Sequence, residues 1–397
     1  MLLLRLAIVF LVFSSALLTP AQAVEFAIVG ARAAGMGGAG VAATDDAFAS
    51  YWNPAGLAMK KNFDIAAQGT GQLTDRLGIS DTVDDINSLA RSYSATELAN
   101  GTVAANAARL QALVNRLNQP STSVSAAGTA GLYFEGYYGD HAFGFNISDV
   151  ATGGMFLPAP VSCTSPGGVG GCNVGASNSL SVNGQFAVRG LEARQMAFSY
   201  AYSFFDRQFA IGVTGKVIQG AAYNNLVNVQ GSDAGASFTG DFGKANTSTA
   251  FGLDLGAMYR PTPWLRFGLV GKDLNEPSFT APNGGGELKL NPQVRAGVSV
   301  NPYESLTVTF DGDLSSNRTL VPGIKSRVLS FGAEQKLFLD ILSLRAGAYK
   351  NVEDANSIIT PTAGLGVRVW ALRIDIAGGY DFRERAGLAS GTVGVTF

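Results

Sequence analysis

Thr392-Val393-Gly394-Val395-Thr396-Phe397 is the stretch whose reading decides the fold. In an extended strand successive side chains point to opposite faces, so Val393, Val395 and Phe397 share one face and Thr392, Gly394 and Thr396 the other. An apolar face set against a small or polar one, closing on an aromatic, is the pattern of a membrane barrel strand, where lipid-facing and lumen-facing residues alternate. The same period recurs upstream. Leu372, Ile374 and Ile376 oppose Arg373, Asp375 and Ala377, and Phe251, Leu253, Leu255, Ala257 and Tyr259 oppose Gly252, Asp254, Gly256, Met258 and Arg260. At the other end Arg5, an apolar run from Leu6 to Leu18 and Ala21-Gln22-Ala23 predict a signal peptide over 1–23, cleaved after Ala23. Export combined with barrel strands predicts an outer-membrane protein.

From Asn62 onward, period-two reading yields about fourteen candidate strands, an even number as bacterial barrels require. Short connections are expected at Gly139-Asp140, Phe205-Asp206, Arg260 to Pro263, Asn301 to Glu304, Leu339-Asp340 and Trp370-Ala371, with longer linkers between them. Short turns at one end and long loops at the other suit an antiparallel barrel with both termini on the periplasmic side. The expected organisation is a signal peptide over 1–23, a lumen plug over 24–61 and an all-β transmembrane barrel over 62–397. Within the barrel, a helical external insertion occupies about 73–120. Helical spacing is clearest from Asp81 to Leu117, with Leu110, Leu113, Val114 and Leu117 on one face.

Composition narrows the function classes. No apolar run of membrane-helix length follows residue 23, which excludes a helical membrane protein. The net charge of −2 offers no basic surplus for phosphates, so no nucleic-acid contact is expected. The sole histidine, His141, lies at a tight turn, and no Gly-x-Ser-x-Gly elbow accompanies it; the reading is non-enzymatic, without cofactor or metal. Cys163 and Cys172 bracket a Gly/Pro-rich loop, and in an exported chain such a pair reads as a disulfide.

Gly35, Gly37 and Gly40 make a literal G-x-G-x-x-G, but no strand immediately precedes it and no βαβ unit follows, so a dinucleotide site is rejected. The stretch reads better as the start of a plug. Thr44, Asp45 and Asp46 offer a helix N-cap and first-turn acids, followed by Phe48, Tyr51 and Trp52, with Pro54 of Asn53-Pro54-Ala55 ending the helix.

Gly-Ala-Arg-Ala-Ala-Gly-Met-Gly-Gly-Ala-Gly-Val-Ala at 30–42, Thr-Asp-Asp-Ala at 44–47 and Asn-Pro-Ala at 53–55 resemble the N-terminal region of FadL-type transporters and their relatives. Downstream, Gly271-Lys272-Asp273-Leu274, Asn291 to Val298 and Phe331-Gly332-Ala333-Glu334 are most similar to the conjugal-transfer TraF-like branch. The thioredoxin-like protein sharing that name is a different family, and no Cys-x-x-Cys occurs here. The resemblance implies a fourteen-stranded barrel whose N-terminal hatch carries Asn53, Pro54 and Ala55. Two roles follow from it: hatch-gated passage of a small or hydrophobic compound, and service in a conjugal-transfer apparatus. A PorV-like accessory barrel of a secretion system, acting by protein binding, is the alternative. The partners implied are outer-membrane lipid, transfer or secretion proteins and a small hydrophobic ligand.

The expected lumen charges are Asp254, Arg266, Lys272, Arg295, Asp311, Asp313, Glu334, Lys336, Arg345, Arg368, Arg373 and Asp375. Both signs fall on neighbouring strands, so cross-strand ion pairs are expected. A continuous apolar conduit is hard to build from these residues, which leaves Phe48, Tyr51, Trp52 and the 81–117 excursion as apolar ligand contacts. If Cys163 and Cys172 are joined and face outward, intact cells resist thiol labelling until an impermeant reductant is added. Labelling without reduction contradicts the bridge.

Overall fold

Period-two alternation becomes a closed wall. The computed structural model describes residues 26–397 except 77, 80, 83–84, 86–87, 89–102, 120–121, 165–180, 233–234, 237–242, 356 and 384. Fourteen strands form the barrel: β1 Asp64–Arg76, β2 Ser123–Tyr138, β3 His141–Phe156, β4 Ser181–Phe204, β5 Phe209–Ser232, β6 Asn246–Thr262 and β7 Leu265–Lys272. The ring continues with β8 Gln293–Tyr303, β9 Leu306–Asp313, β10 Val328–Leu337, β11 Leu342–Asn351, β12 Thr360–Val369, β13 Leu372–Asp381 and β14 Ala386–Thr396. Each strand pairs antiparallel with its chain neighbour, and β14 returns to β1 with Asp64 opposite Thr396 and Gly69 opposite Gly391. Closure removes the edges that an open sheet would expose.

The faces follow the expected alternation. On β13, Ile376 is 59% exposed on the outer wall while its neighbour Asp375 is 2% exposed in the lumen. All six short connections gather at one end, with an exposed aromatic at or beside each: Tyr138, Phe205, Trp264, Tyr303, Phe338 and Trp370. Amphipathic rings at this level match the girdle of a membrane interface. The wall is lopsided. The ten residues each of β12 and β13 reach roughly 34 Å along the strand, enough when tilted for the apolar band, whereas the 24 of β4 and of β5 reach roughly 80 Å.

Two loops at the tall end carry hairpins of their own, Ser278–Thr280 with Glu287–Lys289 and Asn317–Arg318 with Lys325–Ser326. Helix α1, Ala31–Gly35, and helix α2, Ala49–Trp52, lie inside the barrel with the 3₁₀ turn Pro54–Met59. Of the expected 81–117 excursion, Val103–Leu117 forms helix α3, which buries Leu110, Leu113, Val114 and Leu117 as the spacing requires. Asn118 then pins its end, because Nδ2 donates to the Val161 carbonyl at 2.9 Å and Oδ1 accepts the Val161 amide at 2.7 Å.

The signal peptide 1–23 lies outside the described residues, as do Cys172 and the side chain of Cys163. A closed barrel of this kind predicts migration that changes on boiling and a strong β signal in circular dichroism of the detergent-solubilised protein. A helix-rich spectrum contradicts it.

Candidate functional site

The inner segment, 26–62, pairs part of its backbone within short helices and turns, as Ala34 with Gly30 and Trp52 with Phe48, so the groups these leave over must find partners elsewhere. The wall supplies them. Gly30 and Ala31 donate to Gln68 Oε1 at 3.3 Å and Thr392 Oγ1 at 2.9 Å. Gly40 and Val41 both donate to Asp311 Oδ2, at 2.7 and 2.8 Å. Thr362 Oγ1 accepts from the Gly37 amide and donates to the Gly35 carbonyl, and Thr129 Oγ1 donates to the Ile28 carbonyl.

Asn53-Pro54-Ala55 works as a clasp. Asn53 Oδ1 accepts the Ala55 amide at 3.2 Å, and Pro54 opens the 3₁₀ turn. Pro54 therefore begins an element as well as ending one: its missing N–H is no loss at a first helical position. Asn53 Nδ2 meanwhile lies within donating distance of three carbonyls, Val41, Ala257 and Leu269, at 3.2, 3.2 and 3.4 Å. The expected cap role falls differently too. α2 spans only four residues, and Asp46 Oδ1 accepts the Phe48 amide just ahead of it at 3.1 Å.

On the tight-turn side of the segment the charges join into one chain. Asp45 bridges Arg266 at 3.3 Å and Arg32 at 3.6 Å, and Arg32 meets Glu334 at 2.7 Å. Glu334 meets Arg345 at 2.8 Å, which reaches Asp375 at 2.8 Å; Asp375 lies 3.2 Å from Arg373, which turns back to Asp46 at 3.2 Å and Asp64 at 3.8 Å. Burial disfavours the Arg32 guanidinium, but Glu334, Asp45 and Asp46 outweigh it and hold it firmly charged. Burial likewise opposes Asp45 ionisation, and Arg266 and Arg32 overcome it, holding the carboxyl well below the usual carboxylate range. Asp46 goes the other way: burial raises it, Arg373 opposes, and Asp64 adds to the rise. This cluster faces a polar cavity of about 250 Å³ at the tight-turn mouth.

Other predicted residues stand apart from this chain of charges. Asp254 pairs with Lys216 at 2.7 Å, Lys216 also reaches Asp273 at 2.5 Å, and Arg295 pairs with Asp313 at 2.6 Å. Arg368 lies at the rim and donates through Nε to the Trp370 carbonyl.

Phe48, Tyr51 and Trp52 form the segment's own core. Trp52 Nε1 donates to the Val29 carbonyl, Tyr51 Oη to the Ala27 carbonyl, Phe26 stacks on Trp52, and Phe48 lies against Tyr133. Tyr51 borders a small cavity of about 30 Å³ shared with Phe26, Leu191 and Leu290 and with the charged Lys216, Lys272 and Asp273. Lys272 places its ammonium 3.1 Å from the Tyr51 ring centroid and 4.6 Å from that of Phe26, a cation–π arrangement with no carboxylate within 4 Å among the described residues.

The lumen also holds an apolar strip that the charge list hides. Leu191, Ala193, Ile218 and Ala222 on β4 and β5 are covered by Phe279, Leu288 and Leu290 of the loop after β7. That loop is tied down by Asn283 Nδ2, which donates to the Asn224 carbonyl and to Asn225 Oδ1. The strip runs from the small cavity at Tyr51 to a cleft of about 380 Å³ at the tall mouth, lined by Leu288, Val321 and Ile324 with Arg189, Lys289, Arg318 and Lys325. No carboxylate lines that cleft among the described residues.

Residues 50–313, about two thirds of the chain, match the family model described as "F plasmid transfer operon, TraF, protein". No curated protein matches the chain. Among solved structures, the Ralstonia pickettii toluene transporter TbuX is 16% identical with a TM-score of 0.53, covering 94% of this chain and 98% of the transporter. The CymD monoaromatic hydrocarbon channel is 13% identical with a TM-score of 0.53, covering 94% and 98%. Both share the barrel fold of this chain.

Asp45→Asn is predicted to lower resistance to denaturant at neutral pH. The depressed carboxyl contributes stability above the ordinary carboxylate range, about 4, and loses it as pH falls further, so the gap to the parent protein narrows in acid. Urea midpoints measured across pH check the sign; a gap that widens in acid contradicts it.

Proposed function

We propose that this chain, which belongs to the family described as the TraF protein of the F plasmid transfer operon, passes an amphipathic anion through an outer-membrane barrel whose lumen the inner segment closes as a hatch. One observation carries the reading: the apolar strip on β4 and β5 lies between two cavities, the outer lined by cations with no carboxylate among the described residues, the inner by Lys272 beside the Lys216–Asp273 pair. Arg189, Arg318 and Lys325 stand at the outer end, and Lys272 over its two rings at the inner end. An apolar tail gains from the strip at about 25 cal/mol per Å² removed from water, while its anionic head moves between cationic stations. The solved relatives, a toluene transporter and a monoaromatic hydrocarbon channel, support passage of an apolar body. The cations add the preference for a charged head. Export through the 1–23 signal peptide fits the same setting.

The family match supports a second reading, a place in a conjugation apparatus, in which the long loops bind partner proteins. The two readings separate in a deletion strain. On the transport reading, uptake of dodecanoate falls at least ten-fold on deletion. Leu191→Glu, which places a charge on the strip, reproduces the loss, and Lys272→Gln narrows the preference for dodecanoate over dodecanol. Normal uptake together with lost plasmid transfer overturns the transport reading in favour of the second.

A further inference from the structure

Three pairs of glycines lie directly opposite one another on the inner face of neighbouring strands: Gly212 with Gly256, Gly268 with Gly297, and Gly332 with Gly347. Each pair is a flat seat for one part of the inner segment. A Cβ on Gly212 or Gly256 meets Pro54 or Asn53 under 3.0 Å away. On Gly268 it stands 2.6 Å from the Val41 carbonyl oxygen, and on Gly297 3.1 Å from the Ala42 amide nitrogen. On Gly332 or Gly347 it enters the backbone of Met36. Most of these obstacles are main-chain atoms, which no rotamer change clears.

The outer wall gives the contrast. Gly69 and Gly391 also face one another across a strand pair, yet a Cβ on either meets nothing within 4 Å. These inner glycines, on β5 to β8, β10 and β11, are therefore matched to the segment. Ahead of the seats the wall also takes hydrogen bonds from the segment, Gln68 on β1 from Gly30 and Thr392 on the adjoining β14 from Ala31.

We infer that the inner segment is a template on which the barrel closes, anchored at 36–42 and 53–55 throughout the working cycle, so that it never withdraws as a body to leave an open pore. Any hatch movement is confined to the parts between the seats. The inference stands whichever compound the lumen carries.

The test uses the full-length chain. Gly212→Ala, Gly268→Ala and Gly347→Ala are compared with Gly69→Ala and Gly391→Ala for the yield of heat-modifiable barrel. The template account expects at least a ten-fold loss for the inner variants and a change within two-fold for the outer ones. Inner variants that assemble at parental yield and leak ions overturn it, because the barrel then closes with its segment displaced. Hydrogen exchange on the unaltered protein in lipid discs gives a second measurement. Amides of Gly37, Val41 and Ala42 are expected to exchange as slowly as those of the wall strands, while exchange at least ten-fold faster under protected strands contradicts the inference.

Discussion

A segment buried inside a barrel has to satisfy its amides somewhere, and here the wall's side chains take several of those that its own short helices and turns leave over. Asp311 takes two of them, Thr362 handles an amide and a carbonyl, and Asn53 ties two limbs of the segment to β6 and β7. Leaving such groups unpaired costs about 1–3 kcal/mol each, so the segment and the polar lumen stand or fall together. Glycine in a strand interior costs roughly 0.5–1 kcal/mol relative to alanine, and the six seat glycines carry that cost in exchange for contact with the segment. Neither side is a good design alone.

The lumen divides by chemistry as a consequence. The segment's tight-turn face concentrates the charges, where Arg32, Asp45 and Asp46 mesh with Glu334, Arg266 and Arg373. Buried ion pairs of this sort recover little net stability because desolvation opposes them, but removing one partner leaves an uncompensated charge, which fixes the segment's position. The opposite side, above the segment on the tall wall of β4 and β5, is left apolar and covered by a tethered loop. On the proposed transport reading, a solute entering from the tall end meets this strip beneath the loop that covers it.

The wall was legible in the sequence because one local rule, alternation, generates it. Leu372, Ile374 and Ile376 point out and Asp375 points in for the same reason at every strand, and the turns at Gly139, Leu339 and Trp370 follow from where the alternation breaks. The lumen charges were legible as a set, since any charge in register with Asp375 faces inward. Their partners were not. Arg345 meets Asp375 across two strand spacings only because Gly366 lies between them, and Arg32 meets Glu334 from 302 residues away. Phe48 and Trp52 read as ligand contacts because aromatics ahead of a barrel look available, whereas Phe26 and the Val29 carbonyl hold Trp52 and Tyr133 of the wall packs against Phe48. The apolar strip was not legible because Leu191 and Ala193 flank Glu192, Ile218 lies between Val217 and Gln219, and they become one surface only when β4 and β5 align. The paired glycines at 212 and 256 gave a signal that period-two reading passes over, small residues repeating on the inner face.

Dependence between wall and segment is tested most directly by unfolding. Trp52 is fully buried in the segment, while Trp264 and Trp370 lie at the exposed turns, so replacing the latter two by phenylalanine leaves one fluorescent reporter inside. Denaturant titration then follows Trp52 emission alongside loss of the heat-modifiable barrel. The account predicts coincident transitions, since one cooperative unit unfolds at once. An earlier Trp52 transition with the barrel still closed would contradict it.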